Sequence, residues 1–479
     1  MNNGIAGFAV KKRHLMIVVM AVLAAVAFGF YVAQNGLSYK ELIVALGVLI
    51  TAVIVFGGER GIRFGLVLWV LTLALGYRTI EWTKDLRIHP SEILLWLLLL
   101  CIFAQRQLLA RARLSLPWWL WLFIPFWALA WWPLVVGDAP WDKMLNEFRD
   151  FLLFIPIMII VPIVLQRENY WRLLLLAFFL VGTWIGFMGV VEYWFPQVTD
   201  IFPAFIHAAK PELTDEGFVR AQFSFWGGSQ ATFICAMALP VALVLVTWWS
   251  RWYSRAAIVL AAGFQMLAIY IGGYRSLWLI LILQIVVACV LRLQKHGFAV
   301  AALCLVIGVG GYHYIPNTTE RAMTGLAALR GQPIDHSAQE RKDRAFDAID
   351  QAIAKPFGGG WSSAGWVHSD FLQVAANLGV VPALIFLAGY LFTLQRLFRN
   401  TRSCLRTGEH GDFALALLLA FIAAGEHLAI QGVQVLPQMA LPVWFVWTLV
   451  QVWLRRTSES TELSYSYAAP NFYPAANFQ

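Results

Sequence analysis

Apolar runs of nearly membrane-spanning length recur along almost the whole chain, and they constrain its fold more than any other feature. In lipid, only helices and closed barrels satisfy every backbone polar group, and a helix needs about 20 apolar residues to cross the hydrocarbon core. Because several runs are short, the pattern predicts an all-α, polytopic transmembrane helix bundle of 12–14 spans. The fourteen runs are 15–34, 41–57, 65–78, 91–105, 117–136, 151–166, 173–194, 230–249, 256–272, 277–291, 297–315, 371–395, 413–432 and 439–454.

The composition agrees with a membrane protein and excludes a water-soluble globule. Sixty per cent of the 479 residues are apolar or aromatic and 13% are charged, whereas soluble domains average about half apolar and about a quarter charged. The 23 tryptophans suit two interfacial aromatic belts. No CxxC or paired spacing relates the five cysteines, so we interpret them as small buried residues and not as disulfides or metal ligands. They are Cys101, Cys235, Cys289, Cys304 and Cys404.

The basic residues are distributed by side, which predicts the topology. With the N-terminus inside and the spans alternating, the inside segments hold 20 of the 35 Lys and Arg but 6 of the 27 Asp and Glu. This asymmetry follows the rule that cytoplasmic connections carry the basic excess. The net charge of +8 is therefore explained by topology, and we expect no nucleic-acid partner. Both termini are predicted to be cytoplasmic.

Two connections on the outer side are long enough to form structure of their own, and they divide the chain. No phosphate-binding loop or dinucleotide fingerprint occurs, so any chemistry is expected on the outer face. The predicted segments are 1–194 with the N-terminal transmembrane helices, 195–229 as an outer loop, 230–315 with the central transmembrane helices, 316–370 as the large outer loop, 371–456 with the C-terminal transmembrane helices, and 457–479 as a disordered cytoplasmic tail.

The large outer loop contains an amphipathic helix with clear boundaries. Ser337 and Glu340 have capping-box spacing, and Pro356 with the glycines after it ends a helix that reaches about Ala354. On this helix an apolar stripe of Phe346, Ile349 and Ile353 should rest on the bundle or on the bilayer edge, while Arg341, Arg344 and Gln351 form a separate flank. The alternative is that these charges are solvated without a specific role; both interpretations stay open.

His368 follows the glycine turn and opens the next apolar run, which places it at the outer interface. An unperturbed imidazole is largely neutral at pH 7 and can accept a proton from a hydroxyl. Asp370 is a possible orienting partner, although an i,i+2 spacing on a helix points two side chains apart. The alternative is a hydrogen-bonded structural histidine.

Two further arginines are predicted at the outer ends of spans. Arg220 precedes the eighth run, and Arg275 lies in the turn between the ninth and tenth. Charge near membrane depth usually marks a site or a pairing, and the guanidinium fork donates two parallel hydrogen bonds to a diphosphate. Both arginines can alternatively contact lipid headgroups. Glu426 and His427 lie within the thirteenth run. They either line a cavity or, as we favour, form hydrogen bonds between helices.

The run from Arg341 through Pro356-Phe357-Gly358-Gly359-Gly360 and His368 to Asn377-Leu378-Gly379 resembles the signature of the bacterial O-antigen ligase and O-antigen polymerase superfamily. The stretches around Arg220 and Arg275 are similar to that family's outer-face segments, so the resemblance covers roughly 215–385. It implies a glycosyltransferase of the bacterial inner membrane with a periplasmic active site. The implied donor is a glycan on undecaprenyl diphosphate, with no metal and no cofactor.

The resemblance also assigns roles to residues. His368 would act as general base on the acceptor hydroxyl, Arg220 and Arg275 would bind diphosphate, and Arg341 or Arg344 would close over donor or acceptor. Our first expectation is ligation of O antigen to a lipid A–core acceptor. A polymerase that extends the growing glycan uses the same donor, and an O-linked protein glycan transferase is third. A transporter or flippase for the lipid-linked glycan is the alternative from another class.

The topology is testable by cysteine labelling in a cysteine-free background. Ser337→Cys should react with a membrane-impermeant maleimide added to the periplasmic side, because the large loop is predicted outside. Ser403→Cys, in a predicted cytoplasmic connection, is the matched control and should react only after the membrane is opened. Labelling of residue 337 from the cytoplasmic side alone would invert the assignment.

Overall fold

The computed structural model describes 49–75, 80–81, 87–88, 90–105, 117–129, 131, 148, 153–165, 168–195, 212–213, 219–220, 228–292, 336–361, 363–364, 367–430 and 437–468. The predicted spans at 15–34 and 297–315 lie outside this part of the chain, as does Cys304.

The described chain is predominantly helical, with two short strand pairs in connections. The helices are α1 (Gly58–Thr72), α2 (Pro90–Ala104), α3 (Trp118–Leu129), α4 (Phe154–Val164), α5 (Glu168–Trp194), α6 (Gly228–Ala238), α7 (Val241–Trp248), α8 (Trp252–Ile271), α9 (Arg275–Arg292), α10 (His336–Ala354), α11 (Asp370–Leu378), α12 (Val380–Thr407), α13 (Gly411–Ile430) and α14 (Pro437–Ala468). A 3₁₀ turn, Leu73–Leu75, follows α1, and 49–56 is also helical. The antiparallel pairs join β1 (Ile80–Glu81) to β2 (Arg87–Ile88) and β3 (Glu212–Leu213) to β4 (Val219–Arg220).

Several helices are compatible with a multi-pass membrane protein. Among the described residues, α5, α8, α12 and α13 are long and apolar enough to cross a membrane, and the bent pair of α6 and α7 would make a fifth span. Shorter apolar helices are found in α2, α4 and α9. The predicted helical class is therefore confirmed, while the count of 12–14 spans stays a prediction.

Helix α13 lies at the centre of this arrangement. Its most apolar stretch is 78% buried, compared with 28% for α8, and it packs against α6, α7, α9, α11, α12 and α14. Large aromatic side chains from α3, α12, α13 and α14 interlock beside it, with ring centroids 5.2 to 6.1 Å apart. These residues are Trp119, Phe386, Phe421, Trp444 and Trp447.

Two predicted spans are interrupted. The run 230–249 is broken after Ala238, and its halves α6 and α7 meet at 44°. Pro240 at this break cannot donate a backbone hydrogen bond, which explains the bend. The run 371–395 is divided at Gly379 into α11 and α12. The single helix predicted over 371–395 is therefore wrong. Apolar composition alone does not distinguish one continuous helix from two helices joined by a sharp turn.

The C-terminal boundary also differs from the prediction. Helix α14 does not end at Arg456, where the predicted disordered tail begins, but continues to Ala468. Thr457 donates to backbone carbonyls one turn back, and Asn400 of α12 donates to the Thr457 hydroxyl at 3.0 Å. The helix thus continues past the predicted boundary, and its first residue beyond that boundary is hydrogen-bonded to α12.

The outer-loop helix α10 has the predicted extent but packs by another face. Ala348 and Ala352 are buried, and Ala348 contacts Val367 and Ala376 of the segment beside it. The stripe of Phe346, Ile349 and Ile353 is instead exposed, by 53%, 38% and 71%. Of the two predicted surfaces for this stripe, the bundle is therefore wrong, because small alanines allow α10 to approach α11 more closely than the large side chains would; contact with the bilayer edge stays a prediction.

Glycines hold the loop after α10 against the junction of α11 and α12. Gly379 adopts φ 107° and ψ 167°, a conformation essentially restricted to glycine. A Cβ on Gly379 would lie 2.5 Å from the Pro356 carbonyl oxygen, and a Cβ on Gly358 would overlap the Asn377 carbonyl. The predicted Pro-x-x-Gly turn and the Asn-Leu-Gly run are thus two halves of one contact.

Gly379→Ala should lower the free energy of unfolding by at least about 2 kcal/mol, because it combines a forbidden backbone conformation with a backbone clash. Gly408→Ala is the matched control: φ is 77°, but no atom lies within 4 Å of its Cβ position. We expect the control to lose about 1 kcal/mol. Thermal unfolding of the purified proteins in detergent checks this, and equal losses would contradict the contact.

Candidate functional site

The segment that carries His368 is fixed to α11 by backbone hydrogen bonds. Gly359 donates to the Ala376 carbonyl and Gly360 to the Asn377 carbonyl, each at 2.9 Å, and Val380 donates to the Pro356 carbonyl at 3.2 Å. The first two bonds use carbonyl groups at the end of α11 that have no partner within the helix, and the third is accepted by the turn after α10. The turn before His368 is therefore part of the rigid scaffold.

Side-chain amides continue this attachment up to the histidine. Asn377 Oδ1 accepts from the Ala364 amide at 3.2 Å and from the Ser363 hydroxyl at 3.3 Å. Gln373 Oε1 accepts from the Val367 amide at 2.8 Å, and Gln351 of α10 donates to Ser363 at 2.8 Å. The residue immediately before His368 is thereby held by a buried glutamine.

His368 is half-buried, and its surroundings favour the neutral imidazole. Burial, reinforced by the positive charges of Arg341 and Arg344 and opposed by Glu340, lowers the pKa of His368 to about 4. The ring is therefore neutral at pH 7 and available as a proton acceptor. Arg344 also pairs with Glu340 at 2.7 Å within α10.

Arg341 connects the histidine to the central helix α13. The guanidinium interacts electrostatically with both His368 and the Glu426 carboxylate. The Ser276 hydroxyl also approaches Glu426, although neither carboxylate oxygen completes a hydrogen bond of normal geometry in the described residues. Three elements (α9, α10 and α13) and the His368 segment therefore meet at one end of the bundle.

The structure brings together part of the predicted site. His368, Arg341 and Arg344 are neighbours, and Arg275 begins α9 directly before Ser276. The side chain of Arg275 lies outside the described part of the structure. The backbone of Arg220 pairs with Glu212 across β3 and β4, and its side chain also lies outside the described part.

Two residues gain importance from the structure. The sequence favoured hydrogen bonding between helices for Glu426, and its carboxylate does interact with Ser276 of the neighbouring helix α9. The sequence did not indicate its electrostatic interaction with Arg341 of α10. The available signal was an ionisable residue inside an apolar helix. Asp370, the possible orienting partner of His368, is fully buried at the first residue of α11, where the positive end of the helix dipole favours a carboxylate.

Within the described residues, no group of three or more His, Cys, Asp or Glu side chains is placed to hold a metal ion. Cys101, Cys235 and Cys289 are buried and Cys404 is partly buried, and all four are free thiols. In comparisons with known proteins, no protein-family model matches the chain and no curated protein matches it significantly.

Arg341→Gln should raise the pKa of His368 from about 4 towards 6.5, because one of the positive charges that oppose imidazolium formation is removed. Exchange of the imidazole C2 hydrogen, followed by mass spectrometry of the His368 peptide across pH 3–8, measures this pKa directly. Lys342→Gln removes a charge from the adjacent, exposed position of α10 and should leave the pKa unchanged. A pKa that stays near 4 in Arg341→Gln would contradict the assigned coupling.

Proposed function

We propose that this chain is a membrane glycosyltransferase that transfers a glycan from a polyprenyl diphosphate to an acceptor hydroxyl at the His368 end of the bundle. The observation that carries the proposal is a neutral imidazole held on a rigid segment beside Arg341 and Arg344. A base next to fixed cations suits a reaction in which a hydroxyl loses a proton while an anionic leaving group departs.

The proposed reaction is an inverting displacement. His368 accepts the proton of the acceptor hydroxyl as its oxygen attacks the anomeric carbon of the donor. The bond between that carbon and the phosphate oxygen breaks, and polyprenyl diphosphate leaves with the bonding electron pair. Arginines stabilise the growing negative charge; we assign Arg275 and Arg220 to the diphosphate, and Arg341 and Arg344 to the donor or acceptor beside the base.

Donor binding would also adjust the base. A pKa of about 4 keeps His368 neutral, but a general base works best when its pKa lies nearer the working pH. When the anionic donor lies close to Arg341 and Arg344, its negative charge offsets their positive charge, which raises the pKa of the imidazole. Proton abstraction is therefore favoured once the donor is bound, and the unoccupied site holds a weaker base.

The surface of α10 supports a substrate that is anchored in lipid. Phe346 and Ile353 are largely exposed, and Phe357 in the following turn is 86% exposed. Apolar side chains on a helix whose other positions are charged are typical of an interfacial helix. In the proposed orientation α10 lies at the outer headgroup level of a bacterial inner membrane, with both termini on the opposite, cytoplasmic side.

The acceptor separates the alternatives within this class. We place a lipid A–core acceptor first, which makes the protein an O-antigen ligase, and a growing lipid-linked glycan second, which makes it a polymerase. An O-linked protein glycan transferase is third.

A transporter for the same lipid is less well supported, because it requires polar groups along a path through the membrane. Gln284, in the middle of α9, donates to the carbonyls of Ala236 and Leu419 at 3.0 Å each. Gln265 of α8 donates to Phe179 and Thr183 of α5. These mid-helix amides bond neighbouring helices to one another, as structural polar groups do.

Reconstitution of the purified chain with a defined polyprenyl-diphosphate glycan tests the proposal. His368→Ala should lower the transfer rate by roughly 10²- to 10⁴-fold, the usual contribution of a general base, while expression and the unfolding temperature stay near wild-type values. His410→Asn is the control: this histidine is exposed, and asparagine tolerates its φ of 54°.

Lipid A–core and lipid-linked glycan are supplied as acceptors in parallel, and the product identifies the subclass. Near-normal transfer by His368→Ala would remove the base assignment. Transport of the lipid-linked glycan across the bilayer without any transfer product would instead favour the transporter.

A further inference from the structure

A second polar site lies at the opposite end of the bundle from His368. A cleft of about 1060 Å³ is bounded by the first turns of α5 and α13, the last turns of α7, α9 and α12, and the middle of α14. Asp412 of α13 lines this cleft, whereas Glu426 of the same helix faces Arg341. The helical rise places these two carboxylates about 21 Å apart along the axis. The cleft is therefore separate from the candidate active site.

The lining of this cleft carries a strong excess of positive charge. Among the described residues that line it are five arginines and one carboxylate, namely Arg172, Arg292, Arg402, Arg406, Arg456 and Asp412. All five arginines belong to segments that the sequence predicts on the cytoplasmic side. Asp412 is already paired with Arg292 at 3.0 Å, so it cannot neutralise the others.

The remaining arginines divide into two groups by their contacts. Arg172 stacks over Trp248 at 5.2 Å, and Arg456 lies over Trp171 at 5.8 Å and donates to the Leu165 carbonyl. Arg402 and Arg406, one turn apart on α12, are exposed and form no ion pair in the described part of the chain. Their guanidinium groups are thus available to an anion, and their i,i+4 spacing puts both on one face.

The same cleft is also lined by apolar side chains, some of which are exposed at the surface of the bundle. Trp171, Trp248 and Trp453 line the cleft together with Phe398 and Val290, which are 41% and 66% exposed. A free anion would gain nothing from this surface, whereas an amphiphile would place its chains there. Basic pockets between membrane helices on the cytoplasmic side suit the headgroups of anionic lipids.

We propose that this cleft binds an anionic phospholipid, with its phosphate held by Arg402 and Arg406 and its acyl chains lying along Val290 and Phe398. The site does not depend on glycan transfer, and its occupant would fasten the ends of α9, α12 and α14 together.

The test compares the purified chain in nanodiscs of phosphatidylcholine with and without 20% phosphatidylglycerol. Phosphatidylglycerol should raise the unfolding temperature, and native mass spectrometry should detect retained molecules of it. In Arg402→Gln/Arg406→Gln the apparent affinity should fall roughly tenfold or more, because hydrogen bonds to charged groups are lost. Arg402→Lys/Arg406→Lys keeps the charge and should retain part of the binding, which separates a local binding defect from misfolding.

Arg396→Gln/Arg399→Gln is the matched control, since it removes the same charge from the same helix outside the cleft. It should bind as the wild type does. Equal losses in both glutamine pairs, or equal stabilisation by phosphatidylcholine alone, would overturn the proposal. The same stabilisation by inorganic phosphate in pure phosphatidylcholine would also overturn it, because it would identify a site for a free anion.

Discussion

Helix α13 carries ionisable side chains only near its two ends, and each of the two polar sites of this protein lies at one of those ends. An unpaired charge in the middle of a bilayer costs several kcal/mol, so such groups are confined to helix ends or to paired positions. Asp412 pairs with Arg292 at one end, and Glu426 meets Ser276 and Arg341 at the other. Because Arg292 and Ser276 lie at opposite ends of α9, the two helices are antiparallel, with an ion pair at one end and Glu426 near Ser276 at the other.

The geometry of the candidate active site depends on the antiparallel pair of α9 and α13 and on the loop that is hydrogen-bonded to α11. Backbone bonds from Gly359 and Gly360, together with amides of α11, fix the approach to His368. Helix α10 contributes the arginines by packing its alanine face onto the same segment. The base therefore sits on rigid structure, while its pKa is lowered first by burial and further by charges from α10. This division lets the occupant of the arginines influence the reactivity of the histidine.

Much of the fold could be predicted, since long apolar runs in lipid have few alternatives to helices. The extent of α10 followed from the Ser337 and Glu340 spacing and from Pro356, because capping residues and proline act on the backbone next to them and need no distant partner. The break at Gly379 did not follow, since the clash that demands glycine comes from Pro356 of another segment. The site was predicted in part: His368 and Arg341 were selected by type and position, and Glu426 was assigned to a bond between helices, whereas its electrostatic interaction with Arg341 was not predicted.

The sequence by itself determined the helical class, the apolar runs that are compatible with a multi-pass membrane protein, and the extent of α10, while the sidedness inferred from the arginines stays a prediction. Each depends on residue type, spacing or counting along the chain, and none requires a partner. Only the tertiary structure decided which face of α10 packs, that Arg341 interacts electrostatically with both His368 and Glu426, and that five arginines from four helices line one cleft. Periodicity shows that a face must be covered or charged, but the identity of the neighbour depends on how distant helices pack together.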